Sequence, residues 1–301
     1  MEKCRKKIVA VVVTFNRLKY LKAVLSSLKS QTVSIDEVIV VNNGSTDGTT
    51  EWLSSCDDLC VINQDNVGGS GGFYTGIKAA YNKDYDWIWC MDDDVYPYEN
   101  CLEKLLSHDT DDTGILVPSE VQNGRPYITE KRSLNLTNPF KKPELLKPED
   151  LECSSVEIEG MTFEGPLIKR ELVEKIGFPN KDFFLNYDDT DYSYRAILGG
   201  YKVLYIPSAK IKKEYFAPLS KVDAVVRGKW KLWYYFRNGS YFYHRYGKNF
   251  LVRYFGMWRS LLFMQASIFF NLFRNKKYTI KDSFKLWEMY FRGIRGRLGK
   301  M

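Results

Sequence analysis

The chain alternates short, continuous apolar runs with amphipathic stretches. Ile8 to Val13 (IVAVVV) is almost wholly β-branched and predicts a strand buried on both faces. From Leu18 to Leu28 the apolar residues Leu21, Val24, Leu25 and Leu28 recur at helical spacing. Glu37 to Val41, Leu59 to Asn63 and Trp87 to Met91 predict three more strands. A short helix from Thr49 to Ser54, after the turn Asn43 to Gly48, and a helix over Phe73 to Tyr81 fall between them. Strand and helix alternating at this rhythm predict an α/β fold with a mostly parallel sheet flanked by helices. Ligands of such sheets sit at the carboxyl ends of the strands. The segments Thr14 to Arg17, Asn42 to Asp47, Gly68 to Gly72 and Asp92 to Asp94 all lie there.

Further on, residues 125–152 are polar and proline-containing and predict irregular chain, a candidate flap. Order returns over Val156 to Ile168, a helix over Lys169 to Ile176, an acidic cluster entering a helix within Phe183 to Gly199, and a late strand over Lys202 to Ile206. The remainder reads as helical. Composition shifts near residue 216: residues 216–301 hold 18 Lys and Arg against 3 Asp and Glu, a charge of +15, and 23 of the 46 aromatic residues. The whole chain is +7, so the rest carries −8. This predicts a domain boundary near residue 216, between an acidic α/β domain over 1–215 and a basic, aromatic-rich helical region over 216–301. Met1 to Lys7 is charged and the apolar run after it is short, without a secretory cleavage pattern. The six cysteines have no secreted-framework spacing, and with only His108 and His244 a zinc site is not expected.

Three constellations carry chemistry. Asp92, Asp93 and Asp94 end an apolar strand. Residues two apart on a strand point the same way, so Asp92 and Asp94 can reach one hard cation that keeps positions open for phosphate oxygens; the bland alternative is a solvated acidic turn. Second, Asn66 to Phe73 (NVGGSGGF) has four glycines in five residues ahead of a helix, suiting a backbone that approaches a ligand and cradles oxygens; a flexible linker is the alternative. No glycine follows the first strand, which speaks against a dinucleotide-binding fingerprint, and no Gly-Lys-Ser/Thr marks a phosphate-binding P-loop. Third, Asp188, Asp189 and Asp191 enter a helix ahead of Arg195. One such acid can act as a general base toward a hydroxyl. Asp191 and Arg195, spaced i, i+4, suit a structural pair, and Asp188 suits either a helix cap or a substrate contact.

Taken in order, VVTFNR (12–17), VNNGSTDGT (41–49), NVGGSGGF (66–73), MDDD (91–94) and FFLNYDDTDYSYR (183–195) resemble the family 2 inverting glycosyltransferases of GT-A fold over residues 7–215. NVGGSGGF, DDD and the later DDxDY look most like the galactofuranosyltransferase branch, with rhamnosyltransferases as near neighbours, and RNGSYFYHRYG (237–247) also resembles that branch. The resemblance implies a nucleotide-sugar donor, UDP-galactofuranose or alternatively dTDP-rhamnose, and a Mn²⁺ or Mg²⁺ ion on Asp92 and Asp94. Donor contacts would come from Thr14, Phe15, Arg17, Asn42, Asn43, Gly68, Gly69, Ser70, Gly71 and Asp93. Asp189 would be the catalytic base, and Gly160, Met161, Phe163 and Asp188 would serve the acceptor. Two positions depart from the family: Asn42 stands where an acid is common, and Lys213, followed by Glu214, stands where the branch carries a histidine ligand. Either Glu214 substitutes, or Lys213 meets the diphosphate, or the metal has two protein ligands.

The basic tail holds no span of about 20 apolar residues. Its most apolar stretch, Ser260 to Phe273, lies between Arg259 and Arg274. Lys and Arg interleaved with Trp, Tyr and Phe predict a helix on an anionic membrane surface; packing on the catalytic domain or a dimer interface are alternatives. No nucleic-acid motif accompanies the basic residues, so no nucleic-acid partner is expected. The expected location is cytoplasmic, peripheral on the inner face of the cell membrane, with a glycan or glycolipid acceptor. A reading of another class is an inactive nucleotide-sugar-binding scaffold, against which the intact Asp92, Asp94 and Asp189 count.

Overall fold

The computed structural model describes residues 5–214, 216, 221–274 and 278–301, with the side chains of 221–227 and 272–274 left aside. The chain divides into two compact units. The first comprises residues 1–133, 145–181 and 189–215; the second comprises 134–144, 182–188 and 216–301.

The first unit is built on β1 (Ile8–Thr14), which pairs in parallel with β2 (Glu37–Asn42) and β4 (Trp87–Asp92), while β2 pairs in parallel with β3 (Cys60–Asn63). Successive side chains of a strand face opposite sides. Val9, Val11 and Val13 accordingly enter one core and Ile8, Ala10 and Val12 the other. The first core is covered by α3 (Gly68–Tyr81) through Phe73, Ile77 and Ala80, the second by α1 (Leu18–Lys29) through Leu21, Val24, Leu25 and Leu28. The short helix α2 (Thr49–Leu53) follows β2 as expected.

Past β4 the sheet turns mixed. A strand absent from the hydropathy reading, β6 (Thr113–Gln122), pairs in parallel with β12 (Lys202–Lys213), and β11 (Leu167–Lys169) runs antiparallel between β6 and β4. The late strand is more than twice as long as the run predicted for it, with a register break between Ile206 and Lys210, and its end pairs with β5 (Val95–Pro97). That pairing sets Lys213 opposite Val95, beside the acidic triplet. The helices α4 (Cys101–Leu106), α5 (Arg170–Ile176) and α6 (Asp188–Leu198) complete the layers. The stretch 125–152 holds only β7 (Arg125–Pro126), β8 (Lys131–Ser133), β9 (Glu144–Leu145) and a 3₁₀ turn, and β10 (Val156–Glu157) closes the sheet against β12.

One expected element differs. The helix predicted from Phe73 starts at Gly68, so the glycines form its first turns instead of a loop ahead of it. Their reason is packing: a Cβ at Gly72 would stand 2.5 Å from Val13 Cγ1, and one at Gly76 2.2 Å from Val11 Cγ1. Only hydrogen at these positions lets α3 lie this close on β1. A Cβ at Gly69, by contrast, would meet nothing within 4 Å.

The second unit is helical: α7 (Lys221–Tyr246), α8 (Phe250–Phe255), α9 (Trp258–Arg274) and α10 (Ile280–Ile294). Asn249 caps α8 by accepting from Val252 N at 2.9 Å, and Thr279 and Asp282 form a capping box on α10. Gly293 brings α10 against α7, where a Cβ would stand 2.1 Å from Arg237 O. Gln265 Oε1 on α9 accepts from Ser283 Oγ at 2.9 Å and Trp287 Nε1 at 3.2 Å on α10.

Candidate active site

The carboxyl ends of β1 and β4 bring several expected donor residues into one bonded cluster. Asp93, 5% exposed, accepts from Thr14 Oγ1 at 2.7 Å and Phe15 N at 3.3 Å. Arg17 Nη1 donates to Asp93 Oδ1 at 3.2 Å and Asp94 Oδ2 at 2.6 Å. The Phe15 ring is exposed. β4 ends at Asp92, and Asp93 and Asp94 form a turn into β5, so the strand alternation expected to align Asp92 with Asp94 stops at the first of them. The turn still folds the three acids into each other's field. Burial pushes the Asp92 carboxyl well above the usual range, and Asp94, Glu164 and Asp93 push it further, against Lys213. Burial likewise raises Asp93, to about 6, although Arg17 and Thr14 pull it down.

Asn42 and Asn43 spend their amides within the fold. Asn42 Nδ2 donates to Thr50 Oγ1 and Asn63 Oδ1, both at 2.8 Å, and its Oδ1 accepts from Ser45 N at 3.2 Å. Asn43 ties the end of β2 to the start of α3, donating to Gly68 O at 3.0 Å and accepting from Val67 N at 3.3 Å and Gln64 Nε2 at 3.0 Å. Ser70 is fully buried, and its Oγ has no hydrogen-bond partner among the described residues. Gly71 packs on Val67.

A second group of charges extends from the triplet. Lys213 Nζ bonds Glu164 and lies 3.3 Å from Glu120, which is 0% exposed. Burial works against the Lys213 charge, but Glu164 and Glu120 overcome it and raise its pKa. Burial raises Glu120, reinforced by Glu164 and Glu130. Asp189 is raised too, by burial first; Lys131 and hydrogen bonds from Thr190 lower it, and Glu164 raises it. Glu164 thus acts on both the triplet and Asp189. Lys213 and Glu214 part ways: Glu214 accepts from Tyr96 at 3.0 Å, and its N–H donates to Asp94 O at 2.9 Å.

Of the expected acceptor residues, Gly160 holds the backbone of Lys131, whose charge acts on Asp189, by two bonds at 2.8 and 3.0 Å. Met161 and Phe163 lie in the core, Phe163 stacked on Phe73 at 4.4 Å between centroids. The residues between and after them, Thr162 and Glu164, are the partly exposed ones, and Thr162 Oγ1 donates to Glu120 at 3.2 Å. Asp188 is buried at the start of α6. Asp191 is 3% exposed and paired with Arg195 at 2.9 Å, the structural pair its spacing implied. Sequence reasoning passed over Lys131 and Glu120. The signal for Glu120 was an acid inside the apolar run ILVPSEV, since glutamate is almost never fully buried without a partner; Lys131 carried no signal.

The donor set suits a hard divalent cation, being carboxylate oxygen, with Asp94, Glu164 and Asp93 crowding negative charge around Asp92. Among the described residues no three His, Cys, Asp or Glu side chains converge as a ready metal cage. Asp92 and Asp94 would therefore offer two ligands, leaving positions for diphosphate oxygens and water.

Comparison with known proteins places this geometry. The chain is 27% identical over 201 residues to the galactofuranosyltransferase GlfT1 of Mycolicibacterium smegmatis, covering 64% of this chain and 65% of that protein. It is 24% identical over 213 residues to the O-antigen chain rhamnosyltransferase RfbN of Salmonella typhimurium, covering 68% of this chain and 66% of that one. Among solved structures, S. aureus TarS 1-349 in complex with UDP-GlcNAc superposes with a TM-score of 0.58 at 15% identity, over 97% of this chain and 82% of that one. GalNAc-T7 with UDP, GalNAc and Mn²⁺ gives 0.56 at 14% identity, over 79% and 51%. These two likenesses establish the GT-A fold. The model of glycosyl transferase family 2 matches residues 9–177, from β1 to just past α5, and on that match across more than half of its length the chain belongs to glycosyl transferase family 2.

Proposed function

We propose that the protein is a metal-dependent inverting glycosyltransferase that moves galactofuranose from UDP-galactofuranose onto a lipid-linked or growing surface polysaccharide. The observation that carries it is the charge arrangement: a crowded carboxylate triplet at the β4 end and a separate, half-buried Asp189, linked by the field of Glu164. The GlfT1 relative favours galactofuranose, and the RfbN relative makes rhamnose from dTDP-rhamnose the second donor.

Asp92 and Asp94 would hold Mn²⁺ or Mg²⁺, which supplies charge neutralisation for the departing nucleotide diphosphate. Arg17 and Lys213, the cations beside the triplet, add to that field. Phe15 offers its exposed ring to the nucleotide base. Asp189 removes the proton from an acceptor hydroxyl. The hydroxyl oxygen bonds to the anomeric carbon from the face opposite the diphosphate, the bond from that carbon to the diphosphate oxygen breaks with its electron pair, and the centre inverts. Burial keeps the basicity of Asp189 above that of an ordinary carboxylate, which suits the task. The experiment is a transfer assay of wild type and Asp189→Asn with UDP-galactofuranose and dTDP-rhamnose. The variant should lose about 10²–10⁴-fold in kcat while binding UDP as wild type does; near-wild-type transfer refutes the assignment.

The second unit supports a membrane-surface location. No helix among the described residues is long and apolar enough to cross a membrane. On α9, Leu261, Met264 and Ile268 are buried, and the opposite face presents Leu262, Phe263, Phe269 and Phe270 at 52–78% exposure. The two acids of this unit's described C-terminal side chains are both paired, Asp282 with Lys229 and Glu288 with Lys285 and Arg292, so the surface presents positive charge. An exposed apolar face in a strongly basic region, +15 over residues 216–301, suits anionic lipid. Sedimentation with phosphatidylglycerol vesicles should carry the protein down, and Phe263→Ser with Phe270→Ser should release it. Equal sedimentation of that variant, or dimerisation in place of lipid binding, defeats this location.

A further inference from the structure

The segment 182–188 groups with the C-terminal helices in one compact unit. Its backbone is strained. Phe184, Asn186 and Tyr187 all adopt the left-handed region, with φ of 66°, 66° and 68°. Asparagine visits this region readily, but for phenylalanine and tyrosine the Cβ crowds the following carbonyl, at about 1–2 kcal/mol each. Three such residues within four persist only where the surroundings over-determine them, and such strain collects at functional sites.

What over-determines this turn is a run of three residues on α7. Asn238 is fully buried, and its Nδ2 donates to three carbonyls of the turn: Phe183 O at 3.0 Å, Leu185 O at 2.8 Å and Asn186 O at 2.9 Å. Its Oδ1 accepts from Arg237 Nε at 2.8 Å, and Arg237 Nη2 donates to Phe183 O at 3.0 Å. Arg237 is also fully buried, and burial lowers its pKa to about 10. Gly239 makes room for the turn: a Cβ there would stand 2.9 Å from the Tyr187 hydroxyl. Phe184 stacks on Tyr234 of the same helix at 4.9 Å. The motif RNG, noted in the sequence without a role, thus reaches four residues of this turn, Phe183, Leu185, Asn186 and Tyr187.

The chain leaves this turn at Asp188 and enters α6, whose second residue is Asp189. We propose that Asn238 is a positioning residue for transfer: its three bonds hold the left-handed turn that fixes where α6 begins, and with it the direction of the Asp189 carboxylate. It touches no reacting atom. This rests on Asp189 being the base. Without the clamp the turn relaxes toward unstrained φ, and a shift of about 1 Å at a base can cost about 10²-fold in rate.

Asn238→Asp tests this. The substitution keeps the volume and the Oδ1 bond from Arg237 but replaces the donor with an oxygen facing three carbonyls. Expected are a fall of about 10²-fold in kcat, with donor KM and calorimetric UDP affinity within twofold of wild type, and faster amide exchange confined to residues 183–189. A purely structural role would lower folded yield and leave the kcat and UDP affinity of the folded fraction unchanged. A kcat within twofold of wild type, or kcat and UDP affinity falling together, overturns the proposal. Should the variant not fold, exchange in the wild type decides: protection at 185–188 matching that of α7 supports the clamp, and loop-like exchange there overturns it. If Asp189→Asn retains transfer, the function assignment itself has failed; if it is inactive while Asn238→Asp is fully active, the clamp alone has.

Discussion

Two acidic clusters look alike in the sequence, Asp92-Asp93-Asp94 and Asp188-Asp189-x-Asp191, yet the fold treats them in opposite ways. The first sits where a strand passes into a turn, and the three carboxylates are folded onto one another. Asp94 and Asp93 both raise the Asp92 pKa, and Arg17 bridges the other two. The second sits on a helix start, where successive residues are rotated by about 100°, and the three part company. Asp191 turns inward to Arg195, Asp188 is buried at the first position, and Asp189 is left with Lys131 and Thr190. On the proposed function, crowding makes a site for charge from outside, and dispersal makes one carboxylate available for proton chemistry. Asp189→Asn, at about 10²–10⁴-fold in kcat, is the largest effect this contrast predicts, because no neighbour on the helix can take over.

The triplet should behave differently, since its members share a task. Asp92→Asn with Asp94→Asn removes the crowding that raises Asp92, so the metal-free protein should melt at a higher temperature than wild type. The same variant should bind UDP in the presence of Mn²⁺ at least about tenfold more weakly, roughly 1.4 kcal/mol. Gain of stability together with loss of metal-dependent affinity is the expected signature of a site whose repulsion serves binding. Calorimetry and thermal melting read the two quantities, and unchanged Mn²⁺-dependent UDP affinity would remove the metal from the triplet.

The same contrast explains what was legible in the sequence. Continuous apolar runs announced β1, β2, β3 and β4, and the residues at their ends were identifiable because strand ends are fixed by the fold. β6 was not seen, since Pro118 and Glu120 interrupt its apolar run and its burial depends on pairing with β11 and β12, distant in sequence. The glycines of 68–72 were read as a backbone that approaches a ligand, and nothing in the sequence told that Gly72 and Gly71 lie close on Val13 and Val67. Met161 and Phe163 were read from resemblance as acceptor contacts, whereas their apolar side chains fill the core and Thr162 and Glu164 are the partly exposed residues of the segment. The turn 183–187 was opaque, because Phe184 and Tyr187 are poor formers of the left-handed conformation and its partners, Arg237 and Asn238, lie some fifty residues on.

Asp191 gives the smallest predicted effect and the sharpest test of dispersal. Its carboxylate is buried, and Arg195 also donates to Ile176 O at 2.7 Å and Phe178 O at 2.8 Å, so the guanidinium keeps partners when the acid is neutralised. Asp191→Asn should therefore cost about 1–3 kcal/mol of stability, read as a lower denaturation midpoint. Per folded molecule it should leave kcat and UDP affinity within about twofold of wild type. Were kcat to fall as it does in Asp189→Asn, the three acids of α6 would be acting as one group, and the helix would not have separated the structural carboxylate from the catalytic one.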